Sequence, residues 1–172
     1  MSATAHAAIR IGALQSPIGE LLVACTDRGV VRVAYPDEPR EDVIVEVGER
    51  ISPEIEEAPV PEEVRRQLSS YFSGSLRRFS LPLDRTLIDG AFTREVLRET
   101  EAIPYGRTTS YADIAAAAGS PRGSRAAGNA LGTNPLPVLI PCHRVVRACG
   151  ALGGYGGGLH IKRALLALEG AI

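Results

Sequence analysis

The stretch Tyr111-Ala-Asp-Ile-Ala-Ala-Ala-Ala118-Gly-Ser-Pro-Arg-Gly123-Ser-Arg-Ala-Ala-Gly-Asn-Ala-Leu-Gly132 places two short helical segments around a Gly/Pro turn. Asp113 falls in the first turn of the first helix, Tyr111–Ala118. Gly119–Gly123 makes the turn, Ser124 is placed to cap a second helix, Arg125–Gly132, and Asn134-Pro135 ends it. This is the outline of a helix-turn-helix, which helical hairpins that never touch DNA also share. The exposed candidates of the second helix are Arg125, Ala126, Ala127, Gly128, Asn129, Leu131 and Gly132. Long side chains able to form bidentate contacts with base edges are almost missing. On DNA such a helix would bring its backbone close, with one arginine reaching further and little preference for sequence. A tight helix–helix packing face is the alternative.

Downstream, Pro141-Cys-His-Arg144 follows the apolar run Val138-Leu-Ile140 and precedes Val145-Val146. The thiolate is the reactive form of cysteine, and a neighbouring base or cation makes it available near neutral pH. The proline fixes one backbone angle and restricts the residue before it, so the thiol is held in place. Cys142 is therefore a candidate nucleophile; a buried packing cysteine is the competing reading.

Upstream, strand-like segments Ile9–Leu14, Leu21–Thr26 and Val30–Tyr35 are separated by Ser16-Pro-Ile-Gly19 and Asp27-Arg-Gly29, an antiparallel three-strand meander. Pro36–Pro61 is rich in Pro and Glu, with a helix or a strand near Val43–Val47. Glu62–Phe72 carries Val64, Leu68, Tyr71 and Phe72 on one helical face. Phe79–Asp84 reads as a short strand and Arg85–Gly90 as a linker, giving domains 1–85 and 86–172. Phe92–Ile103 has helical spacing and is stopped by Pro104-Tyr-Gly106.

The chain has 172 residues, enough to bury one core or two small ones, and 45% are hydrophobic. No apolar run approaches the roughly 20 residues of a membrane helix. The start, Met1-Ser-Ala-Thr-Ala-His-Ala-Ala8, lacks the features of a signal peptide. Cys25, Cys142 and Cys149 have no framework spacing, so a reduced, cytoplasmic setting is expected. Net charge is −1, but residues 1–85 carry 10 Arg against 14 Asp and Glu. From Pro104 onward, 7 basic residues (Arg107, Arg122, Arg125, Arg144, Arg147, Lys162, Arg163) face 2 acidic ones. A basic second half is what a polyanion partner would meet, though ordinary fluctuation produces the same imbalance.

These residues resemble the O6-alkylguanine-DNA alkyltransferases over nearly the whole chain. Five ordered motifs carry the likeness: Ile103-Pro-Tyr-Gly-Arg-Thr-Thr-Ser-Tyr111, Gly128-Asn-Ala-Leu-Gly-Thr-Asn-Pro135, Ile140-Pro-Cys-His-Arg-Val-Val146, Leu152-Gly-Gly-Tyr-Gly-Gly-Gly-Leu159 and Lys162-Arg-Ala-Leu-Leu-Ala-Leu-Glu-Gly170. Ser16-Pro-Ile-Gly19, Tyr71-Phe-Ser-Gly74 and Phe79–Asp84 match more weakly. The resemblance implies an α/β ribonuclease H-like N-terminal domain and a mainly α winged-helix C-terminal domain. It implies a single-turnover repair protein that moves an alkyl group from guanine O6 onto its own cysteine without a cofactor, with O4-alkylthymine left open as a second substrate. The expected partner is double-stranded DNA, bound in the minor groove without sequence preference, by a monomer.

By this resemblance Cys142 is the acceptor, His143 the base acting through a water, and Glu169 the residue that orients the imidazole. Tyr111 would donate a proton to the departing base and press on the phosphate, or else serve only as an aromatic anchor. Arg125 would fill the gap left by an extruded base, or else contact a phosphate. Asn134 would brace the turn that contains Pro137. Val145, Tyr155, Gly156 and Gly157 would belong to the guanine pocket and its loop. Cys149 is either a packing residue or a second, oxidisable thiol. Some relatives hold zinc in the N-terminal domain; here Cys25 and His6 are too few for a closed four-ligand site, so no metal is expected.

Three other readings are weaker. Alkyltransferase-like damage binders replace the acceptor cysteine, often with tryptophan, and this chain has Cys142 and no Trp. A transcription regulator of this lineage would need a further metal-binding module. A cysteine hydrolase would draw its histidine from a distant segment, not from the adjacent residue.

Overall fold

Alternating apolar residues build the first sheet. In the computed structural model, which describes residues 8–172, β1 (Ile9–Ser16) and β2 (Gly19–Thr26) pair antiparallel. β3 (Gly29–Ala34) continues the meander beside β2. The Ser16 hydroxyl closes the first hairpin by donating to the Gly19 carbonyl at 2.6 Å. A fourth strand, β4 (Ile55–Glu57), adds parallel to β1, giving the order β3-β2-β1-β4. The three-strand reading missed it because these three residues, in the Pro/Glu-rich stretch, are strand only through pairing with Ile9–Ile11, a tertiary contact. Phe79–Asp84 forms no strand of its own; Leu83 alone bridges to Val30.

The stretch around Val43–Val47 is helical: α1 (Arg40–Arg50) buries Val43 and Val47. α2 (Glu62–Phe72) buries Val64, Leu68, Tyr71 and Phe72, the face expected from their spacing. Ile9, Ile11, Ala24, Val31, Val47 and Leu87 form one apolar cluster of this half. Residues up to Leu87 make one compact unit and Ile88–Ile172 another.

In the second unit α3 (Ala91–Glu101) packs on α4 (Tyr111–Ala117) and α5 (Ser124–Gly132). The Ser110 hydroxyl caps α4 by accepting from the Asp113 amide at 3.0 Å, so that Tyr111 is the first helical residue. Ser124 does not cap α5: Gly123 holds that position and Ser124 already lies in the helix. β5 (Thr109–Ser110) pairs parallel with β6 (Val145–Val146), which joins the start of α4 to the residues after Cys142. α6 (Leu159–Leu168) follows the glycine-rich loop. No helix among the described residues is long and apolar enough to cross a membrane.

α5 corrects the list of exposed candidates. Arg125, Ala126, Asn129 and Gly132 are exposed, but Ala127 and Leu131 are buried and Gly128 is half-buried against the Tyr111 ring. The helix uses one face for packing and offers only the other to a partner. The basic tally changes too. Arg107, Arg122, Arg125, Arg147 and Arg163 are exposed, whereas Arg144 and Lys162 are buried and serve internal partners.

Candidate active site

A single 3₁₀ turn, Cys142–Arg144, carries the reactive candidates, and all three of its residues are buried. The loop before it is held by Asn134. Its amide Nδ2 donates to the Ile140 carbonyl at 3.0 Å and its Oδ1 accepts from the Leu136 amide at 2.9 Å. Clamped at both ends, the loop places Val138 at φ +71°, the one non-glycine residue with positive φ among those described. For a β-branched residue this is an outlier costing on the order of 1–3 kcal/mol. The buried Val138 side chain and the Asn134 clamp hold it there.

Burial pushes the Cys142 thiol above its ordinary pKa, while hydrogen bonds from Asn134 and Tyr155 and the charge of Lys162 pull the other way. At rest the group is therefore a thiol, and its reaction requires a base. His143 is completely buried, and its Nε2 lies 2.8 Å from Glu169 Oε1. Its Nδ1 is the one buried side-chain nitrogen or oxygen without a hydrogen-bond partner among the described residues. Burial, together with the charges of Arg144 and Lys162, lowers the His143 pKa against the upward pull of Glu169.

Two residues that the sequence reading placed in its motifs and basic count, but gave no role in the site, belong to it. The Arg144 Nη2 and Nε donate to Glu169 Oε1 and Oε2 at 2.8 and 2.9 Å, and its Nη1 donates to the Ile103 carbonyl at 2.6 Å. Its guanidinium lies 5.7 Å over the Tyr105 ring. Lys162 is completely buried. Its ammonium donates to the carbonyls of Val145 at 2.6 Å and Gly154 at 3.3 Å, and lies 3.4 Å from the Tyr111 hydroxyl. Burial lowers its pKa to about 8, and a negative charge on Cys142, once the thiolate forms, acts upward. A signal for Lys162 was present: it shares a helical face with Leu165, Leu166 and Glu169 at i+3, i+4 and i+7.

The glycine-rich loop brings its backbone to Tyr111, whose hydroxyl donates to the Gly154 carbonyl at 3.3 Å. Burial, and then the negative charge of Cys142 once its thiolate forms, raise the Tyr111 pKa, so the phenol stays a proton donor. Gly153 has φ +74°, and a Cβ there would stand 2.7 Å from the Tyr111 hydroxyl oxygen. Gly153→Ala is expected to lose about 1–2 kcal/mol of stability from backbone strain. It should also displace the phenol and slow any reaction that uses it; thermal unfolding and alkylation kinetics measured together check both. Gly157 and Val145 are buried, Tyr155 is half-buried and Gly156 is exposed. Pro137 is buried in the Asn134 loop. Cys149 is exposed, not packed. Among the described residues no group of three or more His, Cys, Asp or Glu could hold a metal ion; His6 lies outside them.

Fold and site together define a two-domain protein in which a helix-turn-helix unit carries a buried cysteine backed by a histidine and a carboxylate. Two family models divide the chain between them. The ribonuclease-like domain of 6-O-methylguanine DNA methyltransferase matches residues 9–85, and its DNA-binding domain matches residues 91–171. A methylated-DNA–protein-cysteine methyltransferase of Mycolicibacterium paratuberculosis is 50% identical over 103 residues, 60% of this chain and 61% of that protein. The constitutive methylated-DNA–protein-cysteine methyltransferase of Bacillus subtilis is 40% identical over 156 residues, covering 90% of this chain and 92% of that one. Among solved structures, the Mycobacterium tuberculosis O6-methylguanine methyltransferase superposes with a TM-score of 0.82 at 35% identity, covering 94% of this chain and 93% of that one. The same organism's OGT in complex with DNA gives the same TM-score. The chain belongs to the O6-methylguanine DNA methyltransferase family.

Proposed function

We propose that this protein repairs O6-alkylated guanine in duplex DNA by taking the alkyl group, once and irreversibly, onto Cys142. The observation that carries the reading is the buried constellation itself. A thiol on a fixed turn is followed by a histidine whose Nε2 is tied to Glu169 and whose Nδ1 has no protein partner. In the reaction the Cys142 proton passes through a water to His143 Nδ1. The sulfur attacks the alkyl carbon in line with the O6–C bond. An S–C bond forms as the O6–C bond breaks, and the electron pair leaves with guanine. Tyr111 supplies the proton that makes guanine a competent leaving group, and Lys162, beside both Tyr111 and the thiol, stabilises the negative charge as it develops.

DNA binds through the exposed face of α5, in the minor groove and without sequence preference. The small side chains there allow close approach but offer little base readout. The chain acts as a monomer in the cytoplasm and needs no cofactor. Arg125 enters the duplex where the damaged nucleotide leaves it. Arg125→Ala should therefore slow repair of a methylated duplex by about tenfold, roughly 1–2 kcal/mol. It should leave the rate with free O6-benzylguanine nearly unchanged, and equal slowing of both would refute the extrusion role.

The reading is tested by intact-protein mass after incubation with an oligonucleotide bearing a single O6-methylguanine, followed by peptide mapping. One methyl group on Cys142, stoichiometric and without turnover, is the expected result. Tight lesion binding with no mass gain would make this a damage-recognition protein instead.

A further inference from the structure

Glu169 is an awkward residue to place where it is. It ends α6, where the helix's partial negative charge disfavours a carboxylate, and its side chain is completely shielded from water. A charge so placed needs a permanent counter-charge, and Arg144 provides one with both carboxylate oxygens engaged. A guanidinium has donors only, so both oxygens act as acceptors. Oε1 must then accept from His143 as well, which fixes the imidazole proton on Nε2 and leaves a lone pair on Nδ1.

We infer that Arg144 is a positioning residue of the reaction: by occupying both oxygens of Glu169 and anchoring on the Ile103 carbonyl, it holds His143 as a neutral, Nε2-protonated base whose Nδ1 can take the thiol proton. The inference rests on the reading of Cys142 as acceptor and His143 as its base. The anchor ties the relay to the turn after α3. Tyr105, under the guanidinium, donates from its hydroxyl to the Leu168 carbonyl at 3.3 Å, so the end of α6 and that turn are fastened on both sides of the ion pair.

The charged and titratable groups facing His143 are Glu169 and Lys162 from α6 and Cys142 and Arg144 from its own turn. α3, which also packs on the turn, buries only Val96, Leu97 and Thr100. Of these groups, Arg144 alone cancels Glu169 directly. Without it the unbalanced carboxylate would draw a proton onto the imidazole, and His143 would lose its free lone pair until the pH was raised.

The test compares wild type, Arg144→Met and Arg144→Lys. Single-turnover alkylation by free O6-benzylguanine is followed across about pH 5.5–9, from roughly one unit below the ordinary histidine pKa to well above it, alongside nitrogen-15 NMR of the histidine rings in each protein. The wild type should show His143 neutral and protonated on Nε2 at neutral pH. Arg144→Met should move the acid limb of the rate upward by about one pH unit, a loss of about fivefold at the wild-type midpoint that approaches tenfold below it and shrinks as pH rises. Arg144→Lys should return the limb while restoring the rate only in part, since an ammonium gives charge without the fork. A uniform fall in rate with the limb unmoved would make Arg144 merely structural. A charged or Nδ1-protonated His143 in the wild type would overturn the inference even if the methionine variant failed to fold. A wild type that takes up no benzyl group would refute the acceptor reading, while the ring spectra would still decide the role of Arg144.

Discussion

Cys142→Ser takes up no alkyl group from O6-benzylguanine or from methylated duplex, yet folds and binds DNA as the wild type does. The expected loss of rate is on the order of 10⁶, the scale on which removal of a nucleophile from a relay acts. A serine hydroxyl is far less acidic than a thiol, and a buried site whose base is a neutral imidazole cannot make up that difference. The hydroxyl is small and can use the hydrogen bonds that Asn134 and Tyr155 give the sulfur, so the unfolding temperature should move by only a few degrees. Mass analysis and duplex binding on one preparation check both statements. Alkyl uptake by the variant, on Cys149 for instance, would show that the acceptor has been misassigned.

Glu169→Gln should be as damaging in a different way. The buried carboxylate takes two hydrogen bonds from Arg144 and one from His143, with the Gly106 amide donating to Oε2 at 3.5 Å. The amide is neutral and presents two donors of its own to these donors. Arg144 is then left as a buried, uncompensated cation, a situation worth about 3–5 kcal/mol. For a unit of this size that is a fall of more than roughly 10 °C in unfolding temperature. The amide's single oxygen cannot serve Arg144 and His143 as the carboxylate did and no negative charge backs the imidazole, so the alkylation rate should fall by about 10²–10⁴ at a temperature where the variant is still folded. Calorimetry paired with benzylguanine kinetics tests the two together. Wild-type stability and rate would mean that the carboxylate only fills space.

Much of this was legible in the chain. Helical spacing gave α2 and α3, turn chemistry gave the meander, and the motifs around Asn134, Cys142, Tyr155 and Glu169 located the site residues that the fold brings together. The misses share one cause, which is that position in sequence does not say which way a side chain faces. Ala127 and Leu131 lie on a helix of small residues whose two faces look alike in composition, and only packing against α3 and α4 decides which is buried. Arg144 and Lys162 were counted as charge available to DNA because basic residues are usually solvated. Their interior roles depend on acceptors contributed by the Ile103, Val145 and Gly154 carbonyls. Backbone carbonyls are present at every residue and leave no mark in a sequence. β4 was hidden for the same reason, since its strand character belongs to its partner as much as to itself.

The buried thiol also bears on how long the molecule keeps. A protein used up by a single event must hold its one reactive equivalent intact through an indefinite wait. Oxidants attack thiolates, and a sulfur held mostly protonated by its own burial offers them little. Cys149, out on the surface, has no such shelter. The environment that makes Cys142 dependent on a base is thus also its preservative, and ageing of the stored protein should begin elsewhere.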